Sequence, residues 1–77
     1  MSLHVAFGLA VRRIRAEQGL SQERLGYRAG LHRNFVGRIE RGEVVPSLRT
    51  VEALADALDL RPSALIARAE REAWRSG

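Results

Sequence analysis

SQERLGYRAGLHRNFVGRIERG, residues 21–42, is the stretch that decides the fold of this chain, because it predicts two short helices joined by a tight turn. Ser21 is suited to cap the first helix, since its hydroxyl oxygen can accept a hydrogen bond from a free N–H group of the first turn. Gly30 predicts the end of that helix, because glycine adopts the left-handed backbone conformation without steric cost. A second helix follows at once and is closed by Gly42.

The second of these helices has one apolar and one polar face. The apolar side chains are Leu31, Phe35, Val36 and Ile39, and the other side carries His32, Arg33, Asn34, Gly37, Arg38 and Arg41. A helix that is anchored by an apolar stripe and presents arginine and asparagine near its N terminus is suited to reading base edges in the DNA major groove.

The spacing of residues in and around this stretch resembles the phage-repressor family of helix-turn-helix regulators, the XRE-type proteins that include Cro and the lambda and 434 repressors. The matching positions are SQ at 21–22, Leu25, AG at 29–30, Leu31, Val36, IERG at 39–42 and PSL at 46–48. Restriction–modification controller proteins share this layout, and the resemblance covers roughly residues 7–66. It implies an all-α fold, a compact five-helix domain with the helix-turn-helix at helices 2 and 3.

Composition agrees with one small helical domain spanning residues 1–77, with a short tail from about residue 73. The chain has only two prolines and is rich in alanine, leucine, arginine and glutamate, a composition that argues against a sheet. Cysteine is absent, which excludes disulfides and thiolate metal sites. No apolar run approaches the roughly 18 residues of a membrane span. We therefore expect a cytoplasmic protein that is associated with the nucleoid by binding DNA.

Positive charge is concentrated around the central motif. The first 41 residues hold eight arginines against three acidic residues, and the remaining residues hold five arginines against six acidic ones. Such a distribution provides the electrostatic footprint that phosphate binding requires.

The first helix is predicted over about residues 5–18, because Phe7, Val11 and Ile14 recur at helical spacing and Gly19 can stop it. Three charged side chains of this helix are expected to be solvated, namely Arg12, Arg13 and Glu17.

Arg15 is expected to have a structural partner. In the family that the chain resembles, an arginine at this place pairs with the acidic residue of the IERG segment, which is Glu40 here. The resemblance implies an Arg15–Glu40 ion pair that orients the recognition helix, and the alternative is two unrelated surface charges. A part-buried pair is weak evidence for net stability.

Two further helices are predicted after the motif. Ser47 is suited to cap a fourth helix that ends near Asp59, and its apolar positions are Val51, Leu54, Ala55 and Leu58. Pro62 is typical of the first position of a fifth helix.

Base contacts are expected from Arg33, Asn34 and Arg38. Arginine can bond guanine O6 and N7, and asparagine can bond adenine N6 and N7. The alternative for these three side chains is contact with phosphates alone. Phosphate contacts are expected from polar residues at helix ends, namely Ser21, Gln22, His32, Arg41, Ser47 and Arg49. His32 could instead cap the recognition helix or be plainly solvated, and for Tyr27 partial burial is favoured over a phosphate contact.

Two glycines depart from the resembling pattern. Gly26 stands where alanine is usual, so either the neighbouring helix approaches very closely there or the second helix is weakened by about 1 kcal/mol. Gly37 removes a side chain from the recognition helix, which would reduce sequence discrimination by one contact.

The sequence predicts a sequence-specific regulator of transcription, such as a repressor, that binds a pseudo-palindromic operator in double-stranded DNA as a homodimer. The dimer interface is expected at Leu60, Leu65, Ile66 and Trp74, although the same residues could serve the core. The alternatives are an antitoxin-type regulator with a protein partner and an interaction module that has lost DNA binding. No enzyme activity, metal, cofactor or small-molecule ligand is expected, because no nucleophile, base and orienting group can be assembled from these residues.

Overall fold

The structure is a computed structural model and describes residues 1–76. This part of the chain contains five α-helices. They are α1 Leu3–Glu17, α2 Gln22–Ala29, α3 Arg33–Glu40, α4 Leu48–Ala57 and α5 Pro62–Ser76. No strand occurs within residues 1–76, so the predicted all-α fold is confirmed. None of the helices in this range has the length and apolar character needed to cross a membrane.

The helix ends follow the local signals in the sequence. Ser21 Oγ accepts a hydrogen bond from the Arg24 N–H group at 2.9 Å, and Gly30 adopts the left-handed conformation with φ of 71°. Ser47 Oγ accepts from the Thr50 N–H group at 3.1 Å and caps α4 in the same way. These caps satisfy N–H groups that have no partner within a helix.

Both terminal helices are longer than predicted. α1 begins at Leu3 instead of near residue 5, and α5 continues through the predicted tail as far as Ser76. Gly77, the last residue of that predicted tail, lies outside the described residues. α1 and α5 pack against each other, and this packing stabilises both helices.

The core is built from one apolar face of each helix. α1 packs against α5 and α3, while α2 packs against α3 and α4. The largest side chains with no exposed surface are Leu25, Val36, Ile39, Leu54, Leu58, Leu65 and Val11, and Phe7 is almost fully buried with them. Burial of these side chains fixes the orientation of α3, because its Val36 and Ile39 are anchored in this core.

Gly8 allows α1 and α3 to approach closely. A Cβ atom at Gly8 would overlap the carbonyl oxygen of Ile39, which is backbone and cannot rotate away. The apolar spacing of α1 did not indicate this contact, because it depends on where α3 crosses.

Two exposed charged residues of α1 form ion pairs with α5. Arg13 Nη1 lies 3.2 Å from Glu72 Oε2, and the Glu72 side chain is only 3% exposed. Glu17 Oε2 lies 2.6 Å from Arg68 Nη2. Both side chains are exposed, as predicted, with 46% of Arg13 and 59% of Glu17 open to solvent, and α5 brings a complementary charge to each.

Leu65 is fully buried against the core of the protomer, so it has no surface left for a dimer contact and its predicted interface role is corrected. Leu60 and Ile66 are half-buried and pack against the same core. Trp74 is 86% exposed and remains available for an intermolecular contact.

Candidate nucleic-acid interface

The turn between α2 and α3 depends on a close backbone approach at Gly26. The Leu31 N–H group donates to the Gly26 carbonyl oxygen at 2.8 Å, and a Cβ at Gly26 would lie 2.5 Å from the Leu31 carbonyl oxygen. The structure supports a close approach at this glycine, but the approaching group is the turn that follows α2 and not the neighbouring helix. The turn fixes the angle at which α3 leaves α2.

His32 caps α3. Its Nδ1 atom accepts a hydrogen bond from the Asn34 N–H group at 3.0 Å, so Nδ1 is the unprotonated ring nitrogen in this arrangement. The cap fixes the helix end from which the side chains of Arg33 and Asn34 extend into solvent.

The residues expected to read bases are brought together on α3. Arg33, Asn34 and Arg38 are all exposed, whereas Val36 and Ile39 on the other side of the same helix are fully buried. Arg33 Nη1 donates to Glu23 Oε2 of α2 at 2.9 Å, and both of these side chains are well exposed. The predicted polar face of the recognition helix is therefore open to a ligand.

Glu43 joins two arginines at the end of α3. Its carboxylate accepts from Arg41 Nε at 2.6 Å and lies 3.9 Å from Arg38 Nε. The hydrogen bond from Arg41 lowers the pKa of Glu43, and the nearby positive charges of Arg41 and Arg38 act in the same direction. The same hydrogen bond raises the pKa of Arg41. Sequence reasoning missed Glu43, whose position directly after the IERG segment was the available signal.

A buried carboxylate connects the three helices behind this face. Arg15 Nε donates to Glu40 Oε2 at 2.6 Å and Arg15 Nη2 to Glu40 Oε1 at 3.0 Å, so the predicted pair between α1 and α3 is present in bidentate form. The hydrogen bond to Glu40 raises the pKa of Arg15. Arg15 Nη1 also donates to the Leu20 carbonyl oxygen at 2.8 Å, which ties the loop before α2 to the same group.

Gln22 belongs to the same network. Its Nε2 atom donates to Glu40 Oε1 at 3.0 Å, which directs the side chain of the first α2 residue toward α3. The space beside Gly37 is filled by Gln22 and by Arg41, whose Nη1 atom would lie 3.0 Å from a Cβ at that position. The missing side chain at Gly37 therefore makes room for two polar side chains beside the recognition helix, one from α2 and one from the residue that follows α3.

The remaining phosphate candidates differ in what they can donate. Ser21 Oγ accepts from the backbone and keeps its own proton for another partner, whereas Ser47 Oγ donates to Thr50 Oγ1 at 3.1 Å. Arg49 is exposed in the first turn of α4.

Tyr27 is 79% exposed, so the favoured expectation of partial burial was wrong, and Arg24 lies over its ring at 5.6 Å from the centroid. Within residues 1–76 no three metal-ligating side chains converge.

Comparison with known proteins places this geometry in a family. The helix-turn-helix domain family matches residues 6–73. The control protein C.BamHI of Bacillus amyloliquefaciens is 36% identical over 66 residues, which covers 84% of this chain and 82% of that protein. The immunity repressor of Bacillus phage phi105 is 41% identical over 59 residues, covering 77% of this chain but only 41% of the repressor.

A solved structure agrees with these relatives. The crystal structure of the restriction–modification controller protein C.AhdI from Aeromonas hydrophila superposes with a TM-score of 0.77 at 46% identity, covering 79% of this chain and 92% of that one. The exposed arginines and asparagine of α3, the turn at Gly26 and the match over residues 6–73 lead to one conclusion. This chain belongs to the family of helix-turn-helix transcriptional regulators.

Proposed function

We propose that this protein acts as a homodimeric regulator that inserts α3 into the DNA major groove and reads an operator made of two inverted half-sites. The observation that carries the proposal is the α3 face itself, where Arg33, Asn34 and Arg38 are exposed while the opposite side is locked in the core. Cytoplasmic DNA in the nucleoid is the expected partner, and residues 1–77 are expected to act as one domain.

Within this proposal, α3 and its surroundings divide between bases and backbone. Arg33 and Asn34 lie in the first turn of α3, which is the part of a recognition helix that meets base edges. Arg38 lies one turn further along. Phosphates are contacted by polar groups around these residues, namely the half-buried Gln22 and the exposed Ser21, His32, Arg41, Ser47 and Arg49.

Two of these phosphate roles come with a structural condition. Gln22 donates one amide proton to Glu40 and retains a second proton for a phosphate oxygen. Ser47 must turn its hydroxyl away from Thr50 before it can donate to DNA. Gln22 can therefore donate to a phosphate without breaking a hydrogen bond, whereas Ser47 cannot.

The second copy of the chain is expected on one apolar face. Six large hydrophobic side chains are exposed within residues 1–76. All of them except Tyr27 line two surface grooves, and Leu3 contributes to both grooves. The side chains of this dimer face are Met1, Leu3, Val45, Leu48, Ile66 and Trp74. A contiguous exposed apolar patch is typical of an interaction site. An identical copy fits it because one domain of this size covers little DNA alone, and two copies can set recognition helices about 34 Å apart.

The likeness to control proteins supports a proposal for the genes that such a dimer regulates. C.BamHI and C.AhdI are both named as controllers, and each is matched over most of its length. The proposal therefore includes control of restriction–modification genes, for which an operator upstream of such genes is the expected target.

The decisive experiment is selection from a pool of random duplexes at two salt concentrations. The proposal predicts an enriched inverted repeat whose affinity falls steeply as salt rises. Arg33→Ala should weaken binding to the enriched duplex by about 1–3 kcal/mol and relax the preference at one base position. Arg71→Ala, which removes an exposed arginine from α5, is the matched control. Equal losses in the two variants would contradict base reading by Arg33.

The dimer face needs its own measurement. Trp74 is the only tryptophan of the chain, so its fluorescence should shift to shorter wavelength as the protein concentration rises through the dimer dissociation constant. Leu48→Glu should raise that constant by about tenfold or more in sedimentation equilibrium. Tyr27→Glu introduces the same charge at an exposed hydrophobic residue away from the face and should leave association unchanged. A dimer that tolerates Leu48→Glu would place the interface elsewhere.

A further inference from the structure

Each arginine on the exposed side of α3 has a glutamate beside it. Arg33 is paired with Glu23, while Arg38 and Arg41 share Glu43. Glu43 differs from Glu23 in that its single carboxylate lies beside two arginines that are expected to contact DNA. Glu43 itself lies just beyond the end of α3, in the segment that leads to α4.

We propose that Glu43 is a specificity-determining residue that occupies Arg38 and Arg41 in place of a DNA phosphate and so suppresses binding to DNA outside the operator. The inference rests on the proposed function, since it assumes that these arginines face DNA. It adds a role for an acidic residue in a surface whose proposed DNA contacts are positive or polar side chains.

The geometry of Glu43 resembles that of a bound phosphate oxygen. Its Oε2 atom accepts from Arg41 Nε at 2.6 Å, the short distance of a charge-assisted hydrogen bond. Its Oε1 atom lies 3.9 Å from Arg38 Nε. The hydrogen bond from Arg41 favours the ionised carboxylate and lowers the pKa of Glu43. Both arginines are therefore partly neutralised before any DNA arrives.

This neutralisation acts unequally on the two kinds of DNA. On a random sequence the arginines can gain only phosphate contacts, and these merely replace the contacts with Glu43 while the freed carboxylate faces the negative backbone. On the operator the base contacts hold α3 in one position, in which Arg41 can reach a phosphate through its Nη atoms while its Nε stays bonded to Glu43, so less of the pairing is exchanged. Glu43 therefore reduces non-operator affinity by a larger factor than operator affinity.

The test compares Glu43→Gln with Asp56→Asn. Both variants remove one negative charge from an exposed side chain, but Asp56 lies at the far end of α4 and takes part in none of the ion pairs found within residues 1–76. The probes are the duplex enriched from the random pool and a scrambled duplex of the same length and composition. Each dissociation constant is measured across a series of salt concentrations.

Glu43→Gln is expected to tighten binding to the scrambled duplex by about three- to tenfold relative to Asp56→Asn, because Arg41 becomes free for about one additional phosphate. The slope of log affinity against log salt should steepen by about one unit for the same reason. Affinity for the enriched duplex should rise less, so the ratio of operator to scrambled affinity should fall.

Two results would overturn the proposed role of Glu43 alone. Equal behaviour of Glu43→Gln and Asp56→Asn would show that only net charge matters. Weaker binding of Glu43→Gln to the enriched duplex, with scrambled binding unchanged, would show that Glu43 orients the arginines for base reading instead of restraining them. Failure of the wild-type protein to select any duplex would refute the proposed function together with this inference, whereas the other two results leave the proposed function intact.

Discussion

Arg15 and Glu40 form a bidentate ion pair that joins the first helix to the recognition helix, with Nε to Oε2 at 2.6 Å and Nη2 to Oε1 at 3.0 Å. The carboxylate also receives the Nε2 proton of Gln22, so one buried group sets the relation of α1, α2 and α3. Because the Glu40 side chain is only 2% exposed, the pair is screened little by solvent.

Glu40→Gln is expected to lower the free energy of unfolding by about 2 kcal/mol, because Arg15 keeps its charge and loses its counter-charge in a largely buried position. Urea denaturation followed by circular dichroism measures the change. A double variant, Arg15→Leu with Glu40→Leu, removes both charges and should recover most of the loss. If Glu40→Gln were as stable as the wild type, the pair would have no structural role.

Arg13→Ala is expected to lower the free energy of unfolding by about 1 kcal/mol, since it withdraws a partner from the buried carboxylate of Glu72. The neighbouring Arg12→Ala is the matched control, because Arg12 is exposed and takes part in none of the ion pairs found within residues 1–76. The measurement is a comparison of the thermal unfolding temperatures of the two variants. Similar transition temperatures would mean that the ion pair between Arg13 and Glu72 does not contribute to stability.

The sequence could predict those features that depend on a few consecutive residues. Ser21, Gly30 and Ser47 act on the backbone next to them, so their caps and the positions of α2, α3 and α4 followed from local chemistry. The exposed face of α3 followed in the same way, because the anchoring Val36 and Ile39 recur at helical spacing.

Features that depend on the crossing of distant segments could not be predicted from the residues alone. Arg13 and Glu72 are 59 residues apart, and nothing in either neighbourhood selects one partner among many surface charges. The Arg15–Glu40 pair was predicted only because the chain resembles a family in which these places pair. Leu65 and Trp74 both lie on α5, and the spacing of apolar residues did not decide which of them faces the core and which faces solvent.

Gly8→Ala is expected to destabilise the protein by about 3 kcal/mol, although alanine is normally better than glycine inside a helix. The added Cβ would overlap the Ile39 carbonyl oxygen and force α1 away from α3. Gly37→Ala is the matched control, because its Cβ would meet only the movable end of Arg41 at 3.0 Å and side-chain atoms of Gln22 beyond it. That variant should change stability by less than about 1 kcal/mol, in the stabilising direction. Chemical denaturation of both proteins should give changes of opposite sign, and equal signs would contradict the close approach at Gly8.

Arg41→Ala is expected to raise the pKa of Glu43 toward its ordinary value of 4.5, because the hydrogen bond from Arg41 is the main cause of the lowered value. A group whose pKa is lowered on folding stabilises the folded state above its ordinary pKa, and this contribution disappears as the pH falls through the lowered value. The pair of Arg41 and Glu43 is therefore intact at neutral pH and is lost only in acid. Carbon-detected NMR titration of the Glu43 carboxyl group at low salt measures the shift directly. Arg71→Ala, which removes an exposed arginine of α5, should leave the Glu43 titration unchanged. An unchanged pKa in Arg41→Ala would show that the two side chains are not paired in solution, and the restraint on the recognition-helix arginines would then lack its structural basis.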